Sequence, residues 1–208
     1  MFEDRTDAGL QLAEALEAYK GKDVVVIAIP RGGLPLGAIV AKALNAPLDV
    51  ALSKKIGHPY HKEYAIGAVS LENRVLSDTR GISKTYLEEE TRRIREKLQE
   101  RHDQYYRDRK PVSLSGRTVI LIDDGVATGN TLKVTASLVK SQDPAKTIAA
   151  IPVAPPSAVQ NLESSKEIDE VVCLHSPEFF HAVGHYYENF YQVSDAEAIK
   201  ILEENRLN

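Results

Sequence analysis

The sequence predicts an α/β protein built on a doubly wound, mostly parallel sheet, with a small cap region near the C-terminus. Three observations support this fold class. Short runs rich in valine and isoleucine alternate with segments of helical periodicity, their connections are short, and no repeat or Ser/Gly linker divides the 208 residues. We therefore expect one domain over 1–208, with a helical insertion at about 83–110 and an aromatic-rich cap at about 175–208.

The first half of the chain predicts two helices and three strands. In order, these are a helix that ends near Gly21, a strand at 24–29, a helix at about 35–45, and strands at 48–53 and 65–70. The periodicity of the first helix places four residues on one face, namely Leu10, Ala13, Leu16 and Tyr19. We expect this face to pack against the sheet.

A long charged helix then interrupts the alternation. It should run from Ser83 to about Arg109, with Thr85 and Glu88 in the pattern of a capping box. Its apolar stripe is narrow and consists of Leu87, Ile94, Leu98 and Tyr105. Such a stripe favours a solvated helix docked by one edge, and the alternatives are a dimer contact or a flap over a site.

The alternation resumes after this helix. The predicted elements are a strand at 119–122, a helix after Asn130, a strand at 147–153, a helix after Pro155, a strand at 171–174 and a final helix capped by Ser194. Cys173 lies within the apolar run at 171–174, so we expect a buried structural thiol rather than a nucleophile.

Composition excludes several classes of protein. The net charge of −4 gives no general attraction to nucleic acid or membrane, so any anion site must be built locally. The single cysteine excludes an internal disulfide and suits a reducing cytoplasm. No apolar stretch approaches the roughly 18 residues of a membrane span, and the N-terminus lacks the features of a signal peptide. We expect a cytoplasmic protein with no membrane or nucleic-acid partner.

The segment Val119–Leu132 joins a buried strand, two acids, a small turn and a helix start. Asp123 and Asp124 follow the strand, at the edge where open α/β sheets bind their ligands. After Gly125 and Val126 comes a turn of small or hydroxylated residues, Ala127, Thr128, Gly129, Asn130 and Thr131. Backbone N–H groups at the start of the following helix can surround an anion. The acids should face sugar hydroxyls or a metal, and the turn should hold a phosphate.

Two common nucleotide motifs do not fit these residues. A P-loop needs four residues between its glycines and then a lysine, but three residues separate Gly125 from Gly129, and Asn130 stands at the lysine position. A dinucleotide-binding fingerprint needs Gly-x-Gly-x-x-Gly after the first strand, and the glycines at 32, 33 and 37 have the wrong spacing.

The Val119–Leu132 segment resembles the ribose-5-phosphate loop of the type I phosphoribosyltransferases, which has a short apolar strand, two acids, and then a small or hydroxylated residue followed by Thr-Gly-x-Thr/Ser. The resemblance implies that family's fold and an enzyme of the glycosyltransferase type that binds 5-phosphoribosyl-1-pyrophosphate (PRPP) with Mg²⁺. Asp123 and Asp124 would be the catalytic and metal-binding acids, and 127–131 would bind the 5′-phosphate. Gly125 departs from the family's aliphatic residue, which predicts a looser backbone there.

A second anion site is expected at Arg31, Gly32 and Gly33, directly after the first core strand. Glycines allow a close approach of the backbone, and Arg31 adds a cation with two-pronged hydrogen-bonding capacity. This position resembles the pyrophosphate loop of the same family. By itself, Gly-Gly before a helix is also ordinary turn chemistry.

The basic segment at 54–63 is bounded by glycine and proline, as mobile surface loops are. It corresponds in order to the family's catalytic flexible loop, so the resemblance implies that Lys54 and Lys55 act on the leaving pyrophosphate. An ordinary solvated loop is the alternative. His58 and His61 are weak metal candidates, because the sequence gives them no partner at ligand spacing.

The C-terminal region is rich in aromatic residues. Its stretch 180–188 is similar to one in the hypoxanthine-guanine branch, which implies Phe180 on the base and Glu188 on Mg²⁺, although the spacing differs by one residue and Glu replaces Asp. Packing of a small cap is the alternative. Ala127 stands where that branch has a proton-exchanging aspartate, whereas the adenine branch has Ala-Thr-Gly, so Ala127 argues against 6-oxopurine chemistry.

The sequence therefore predicts a phosphoribosyltransferase that moves the 5-phosphoribosyl group of PRPP to a nitrogen nucleophile, such as a nucleobase, and releases pyrophosphate. Most of the chain, including the surroundings of Arg31 and 63–69, looks closest to uncharacterised stand-alone phosphoribosyltransferase-domain proteins, which leaves the acceptor unnamed. The alternatives are a non-catalytic PRPP or nucleotide sensor of the same fold, and a phosphatase or nucleotide hydrolase. The long charged helix and the habit of the family favour a homodimer.

Overall fold

The computed structural model describes residues 1–62, 64–77, 79–106 and 110–205. The helices are α1 (Arg5–Ala15), α2 (Gly33–Leu44), α3 (Lys84–Tyr106), α4 (Asn130–Lys140), α5 (Pro156–Glu163) and α6 (Asp195–Glu204), with short 3₁₀ turns at Glu17–Tyr19 and Val183–Tyr186. The strands are β1 (Val24–Ala28), β2 (Leu48–Val50), β3 (Lys54–Gly57), β4 (Ala65–Val69), β5 (Arg74–Leu76), β6 (Thr118–Ile122), β7 (Lys146–Val153) and β8 (Glu170–His175). In these ranges, no helix has both the length and the hydrophobicity needed to cross a bilayer.

Five parallel strands form the central sheet, in the order β2-β1-β6-β7-β8. Successive residues of β1 enter two different cores, because side chains alternate across a strand: Val24 and Val26 pack on one face and Val25 and Ile27 on the other. Burial on both faces explains the continuous apolar runs of these strands. The predicted α/β class with a mostly parallel sheet is confirmed.

The register of the central strands brings two loops to the same edge. Ala28, the last residue of β1, pairs with Ile122, the last residue of β6. The segments that follow both strands therefore emerge side by side at the carboxyl edge of the sheet, where α/β proteins bind ligands. This pairing places the loop at 30–32 next to Asp123 and Asp124.

The buried face of the first helix differs in part from the predicted one. Leu10 is 59% exposed, whereas Ala8, Leu12 and Leu16 are fully buried. The apolar stripe follows the spacing i, i+4, i+8, and the helix begins one residue after Asp4, whose side chain accepts hydrogen bonds from Thr6 N and from the next backbone N–H. Of the predicted face, Leu16 is buried and Ala13 and Tyr19 pack partly buried against the core, whereas the placement of Leu10 was wrong.

A second sheet accounts for the segment predicted as a mobile loop. Lys54 and Lys55 lie in β3, which pairs antiparallel with β4, and β4 pairs with β5. The prediction of a loop at 54–57 was therefore wrong, and the strand predicted at 65–70 joins this antiparallel sheet instead of the parallel one. Glu63 lies outside the described residues. Tyr86 of α3 donates a hydrogen bond to Gly57 O at 2.7 Å, which fastens the hairpin to the long helix.

The apolar stripe of α3 is buried as predicted. Leu87, Ile94 and Leu98 pack against residues of β3 and β4, while Tyr105 reaches the core of the central sheet. The helix cap differs from the prediction, because Ser83 Oγ, rather than the Thr85 side chain, accepts the hydrogen bond from an N–H of the first turn. The last predicted residues of this helix, 107–109, lie outside the described part of the chain.

The edge strand β8 leaves Cys173 half-buried, not fully buried as expected. Its thiol donates a weak hydrogen bond to His175 O at 3.3 Å, and burial raises the pKa of the thiol. A raised pKa lowers the thiolate fraction at neutral pH, so the structural role that was predicted for this cysteine agrees with its surroundings.

The two ends of the chain meet above the sheet. Phe2 N donates to Tyr186 O at 2.8 Å and Glu188 N donates to Phe2 O at 2.9 Å, so the first residues form a bridge with the C-terminal segment. The rings of Phe2 and Tyr187 lie 5.4 Å apart. We call the combination of residues 1–5 and 183–193 the cap. The sequence predicted only its C-terminal part.

Candidate active site

Asp123 and Asp124 stand directly after β6, at the carboxyl edge of the sheet. The Asp123 side chain accepts a hydrogen bond from Asp124 N at 2.9 Å, which fixes the two carboxyl groups beside each other. Burial, and then the neighbouring Asp124 carboxylate, raise the pKa of Asp123 well above the ordinary value for aspartate. The pair therefore resists carrying two negative charges.

This raised pKa gives a prediction about stability. Because the folded state binds the Asp123 proton more tightly than the unfolded state does, stability is lost as the pH rises through the folded-state pKa. We expect Asp123→Asn to increase the free energy of unfolding, with a larger gain at high pH than at low pH. Urea unfolding at a series of pH values measures this, and an equal gain at every pH would contradict it.

Asp124 forms a buried ion pair with a residue that the sequence did not single out. Arg5 of α1 donates two hydrogen bonds to Asp124 Oδ2, from Nε at 2.9 Å and from Nη2 at 2.7 Å, across 119 residues of sequence. Arg5 is only 5% exposed, and its Nη1 donates to Tyr191 O at 2.6 Å. One signal was available: a cation in the first turn of a helix opposes the helix dipole and therefore needs another partner.

The loop after β1 lies against the acid pair. A Cβ atom on Gly32 would lie 2.0 Å from Asp124 Oδ2, and one on Gly33 would lie 2.5 Å from Ile122 O. Only glycine permits this approach. The structure thus brings Arg31, Gly32 and Gly33 beside Asp123 and Asp124, as the two predicted anion sites require.

Arg31 already has a protein partner. Its Nη1 lies 3.3 Å from Asp195 Oδ2 at the start of α6, and Tyr105 donates to the other oxygen of Asp195 at 2.8 Å. The side chains of Arg31 and Asp195 are 31% and 47% exposed, so this ion pair is weak and an anionic ligand can compete for the guanidinium at little cost.

The predicted phosphate loop leads into α4 on the other side of the acid pair. Gly129 adopts a positive φ of 82° and precedes the helix without a side-chain cap, while the Thr128, Asn130 and Thr131 side chains are exposed. Asn161 of α5 donates to Thr128 O at 2.9 Å and holds the turn. Ala127 is exposed as well, so the N-terminal amides of α4 are accessible to an anion.

Gly125 is held closely, in contrast to the looser backbone that we expected. A Cβ at this position would lie 2.5 Å from Val183 of the cap and 3.0 Å from Val153 of β7. Tyr187 of the cap donates a hydrogen bond to Asp124 O at 2.6 Å. The glycine therefore allows the cap to pack directly on the backbone of the acid pair.

A cleft of about 380 Å³ opens between the cap and the acid pair. It is lined by Arg5, Arg31, Gly32, Asp124, Phe190, Tyr191, Gln192 and Val193. Phe190 and Tyr191 are 40% and 53% exposed, and the Phe190 ring lies 4.0 Å from the Arg5 guanidinium carbon. From the sequence we expected Phe180 to be the aromatic residue at the acceptor site. In the structure Phe180 stacks on Tyr186, with ring centroids 5.5 Å apart.

Of the predicted site residues, only Arg31, Gly32 and Asp124 line this cleft in the described structure. Asp123, Gly33 and residues 127–131 belong to the same loops without lining it, whereas three others lie on different segments. Lys54 and Lys55 lie on β3, in the antiparallel sheet that packs against α4 and α3. Glu188 is exposed on the cap, with its backbone bound to Phe2. The local sequence around each of these residues does not show whether its segment packs near Asp124.

The acid pair does not fit a Mg²⁺ site made by this chain alone. In the described part of the chain, no group of three or more His, Cys, Asp or Glu side chains is placed to hold a metal ion. Glu188 therefore does not complete a set with Asp123 and Asp124, and Asp124 Oδ2 is already paired with Arg5. Asp123 and Asp124 supply at most two carboxylates, so a Mg²⁺ ion here would need its remaining oxygen ligands from water or substrate phosphates.

Comparison with known proteins identifies the family of this chain. The family model of the phosphoribosyl transferase domain matches residues 10–188. A protein of Mycobacterium tuberculosis (strain H37Rv), provisionally named as a phosphoribosyl transferase, is 40% identical over 208 residues, which is 98% of this chain and 46% of the relative. This chain thus spans about half the length of that relative.

Solved structures show the same fold. The crystal structure of TT1426 from Thermus thermophilus is 40% identical, covers 98% of both chains and has a TM-score of 0.92. A hypothetical protein from Neisseria gonorrhoeae, solved with bound ppGpp, shares the fold over 99% of both chains at 12% identity, with a TM-score of 0.51. Because the family model matches residues 10–188, which is most of the sequence, the chain belongs to the phosphoribosyl transferase domain family.

Proposed function

We propose that this protein transfers the 5-phosphoribosyl group of PRPP to a nitrogen nucleophile and releases pyrophosphate. One observation supports the proposal: Asp123 and Asp124 stand next to both segments predicted to bind anions, with the loop at 31–33 in close contact and the turn at 127–131 leading from the acids into α4. PRPP has a phosphate at one end of its ribose and a pyrophosphate at the other. The order of groups in the site matches the order of groups in PRPP.

Each part of the site has a role in this mechanism. The amides at the start of α4 bind the 5′-phosphate, because the positive end of the helix dipole lies there. Asp123 and Asp124 accept hydrogen bonds from the ribose hydroxyls. Arg31 and the backbone of Gly32 and Gly33 bind the pyrophosphate, after Arg31 exchanges Asp195 for the ligand. Lys54 and Lys55 are given no role in this mechanism, because they lie on β3 of the separate antiparallel sheet and not on the two loops that flank the acids.

The chemical step is a substitution at the anomeric carbon of the ribose. The bond from this carbon to the pyrophosphate oxygen breaks, pyrophosphate leaves with the electron pair, and the nitrogen of the acceptor forms the new bond and then loses its proton. Positive charge develops on the sugar, so carboxylates beside it stabilise the transition state. Positioning of the two reactants supplies a further share of the rate.

Magnesium enters this proposal as a companion of PRPP. Mg²⁺ commonly binds to one or two carboxylates together with substrate phosphates, rather than in a cage made only by protein. The acceptor is a small planar molecule in the cleft below Phe190 and Tyr191, since exposed rings at a pocket stack on such molecules.

Titration calorimetry with PRPP and Mg²⁺, followed by assays of pyrophosphate release with a panel of nucleobases and other nitrogen acceptors, tests the function. We expect PRPP to bind the wild type, to bind Asp123→Asn at least tenfold more weakly, and to bind Asp143→Asn normally, because Asp143 is exposed beyond the far end of α4. Absence of PRPP binding to the wild type would refute the proposal.

The same experiment separates the alternatives. Binding of PRPP without pyrophosphate release for any acceptor would indicate a sensor of the same fold. Release of phosphate or of a base without added acceptor would indicate a hydrolase. Release that depends on one acceptor identifies the transferase and its substrate.

A further inference from the structure

The position of Arg5 would be energetically unfavourable without its ion pair to the acid pair. Of the described residues, it is the only basic side chain that is buried, and it lies in the first turn of α1, where the helix dipole repels a cation. Burial of a guanidinium is costly unless it is paired and fully hydrogen-bonded. Asp124 Oδ2, Tyr191 O and the Phe190 ring provide the compensation.

The contacts of Arg5 set the net charge at the end of β6. With Arg5 paired to Asp124, the two aspartates and the arginine together carry at most one negative charge. A divalent cation that approached Asp124 Oδ2 would compete with two short hydrogen bonds and would meet a fixed positive charge within a few ångströms. The burial of the pair makes this repulsion stronger than it would be in water.

We propose that Arg5 replaces a metal ion at the acid pair: it neutralises Asp124, keeps divalent cations off the two carboxylates in the free protein, and holds Asp124 in place for the ligand. Arg5 uses only Oδ2, so it does not engage the second oxygen of Asp124. Its third hydrogen bond, to Tyr191 O, ties the orientation of this carboxylate to the closure of the cap over the cleft. Arg5 is therefore a positioning residue that connects both chain ends to the site.

The inference rests on the proposed function for the identity of the ligand, but not for its test. Binding of metal to the free protein needs no PRPP and no acceptor. A protein that does not turn over PRPP would count against the proposed transferase and leave the role of Arg5 unaffected. A metal site at the acid pair of the wild-type protein would count against the role of Arg5 and leave the transferase unaffected.

The test measures binding of Mn²⁺ alone by electron paramagnetic resonance and of Mg²⁺ alone by calorimetry, with Mn²⁺ as a spectroscopic probe of the same chemistry. The variants are Arg5→Met, which removes the charge at similar length, and Arg5→Lys, which keeps the charge. Arg117→Met is the matched control, because Arg117 pairs with Asp23 at 2.6 Å on the far edge of the sheet, before β6.

We expect no specific metal site in the wild type, in Arg5→Lys or in Arg117→Met. Arg5→Met should gain one Mn²⁺ site per chain, with an affinity at least tenfold above any binding to the wild type, and adding Asp123→Asn should remove that site. If Arg5→Met does not fold, Arg5→Gln supports the same comparison, since it keeps a hydrogen-bond donor without charge.

Two results would overturn the proposal. One is a wild-type protein that binds Mn²⁺ as tightly as Arg5→Met does, at a site lost in Asp123→Asn, because the arginine would then not exclude the ion. The other is a folded Arg5→Met or Arg5→Gln protein that gains no metal affinity. This second result is the one expected if Arg5 only holds the cap in place and its charge has no effect on metal binding.

Discussion

Replacing Asp124 by alanine is expected to lower PRPP-dependent turnover by about 30- to 1000-fold, because removal of one charged group from a preorganised site typically costs about 2–4 kcal/mol of transition-state stabilisation. The structure adds a second consequence. Asp124 is the partner of buried Arg5, so the alanine variant should also lose about 3–5 kcal/mol of stability, the cost of an uncompensated buried charge.

Two further variants separate these effects. Asp124→Asn keeps the size of the side chain and an oxygen acceptor for Arg5, so it should lose less stability than Asp124→Ala and still lose most of the activity. Glu188→Gln is the control, since this exposed acid does not line the cleft, and we expect turnover close to that of the wild type. Steady-state kinetics and thermal unfolding measure both quantities. Wild-type turnover in Asp124→Asn would refute a role for this carboxylate.

Gly32→Ala and Gly33→Ala should both be harmful, the first through PRPP binding and the second through stability. A methyl group on Gly32 would meet the Asp124 carboxyl group, with its oxygen at 2.0 Å and its carbon at 2.4 Å, so Asp124 must leave its position. We expect a loss of PRPP affinity of at least tenfold, because Asp124 and the pyrophosphate loop are displaced together. Calorimetry measures this loss.

Gly33→Ala acts on the backbone. The added methyl group would meet Ile122 O at 2.5 Å and the backbone of Asp123 at 3.1 Å, and a strand in the middle of the sheet cannot move away as a side chain can. We expect a loss of about 1–3 kcal/mol of stability, which is the usual cost of overpacking a well-packed region. Urea unfolding that showed Gly33→Ala to be as stable as the wild type would contradict this account.

The local parts of the site were predictable from the sequence. Strand, acids, turn and helix start at 119–132 are contiguous, and their order alone predicts where the acids and the phosphate loop lie. The alternation of helices and strands predicted the parallel sheet for a similar reason, since each element is stabilised by its own periodicity. Arg31, Gly32 and Gly33 followed from their place after the first strand.

Segments whose local sequence is compatible with two different structures were predicted less well. Lys54 and Lys55 have the composition of a loop, yet they pair with β4 because Ile56 and the residues of α3 form a separate core. Leu10 fits one helical face of α1, but the face with Ala8 and Leu12 packs better against α2, where the neighbouring Gly9 lets the helices approach closely. In both cases the contact that decides lies far along the chain.

The sequence by itself determined the fold class and the place of the acid pair between a buried strand and the turn before α4, because these depend on residues that are neighbours in the chain. Only the tertiary structure decided that Arg5 pairs with Asp124 and that Phe190 and Tyr191, rather than Phe180, line the cleft. The physical reason is that a buried charge selects its partner by position in space. No pattern of spacing shows which of the many charged residues will stand within hydrogen-bonding distance of another 119 residues away.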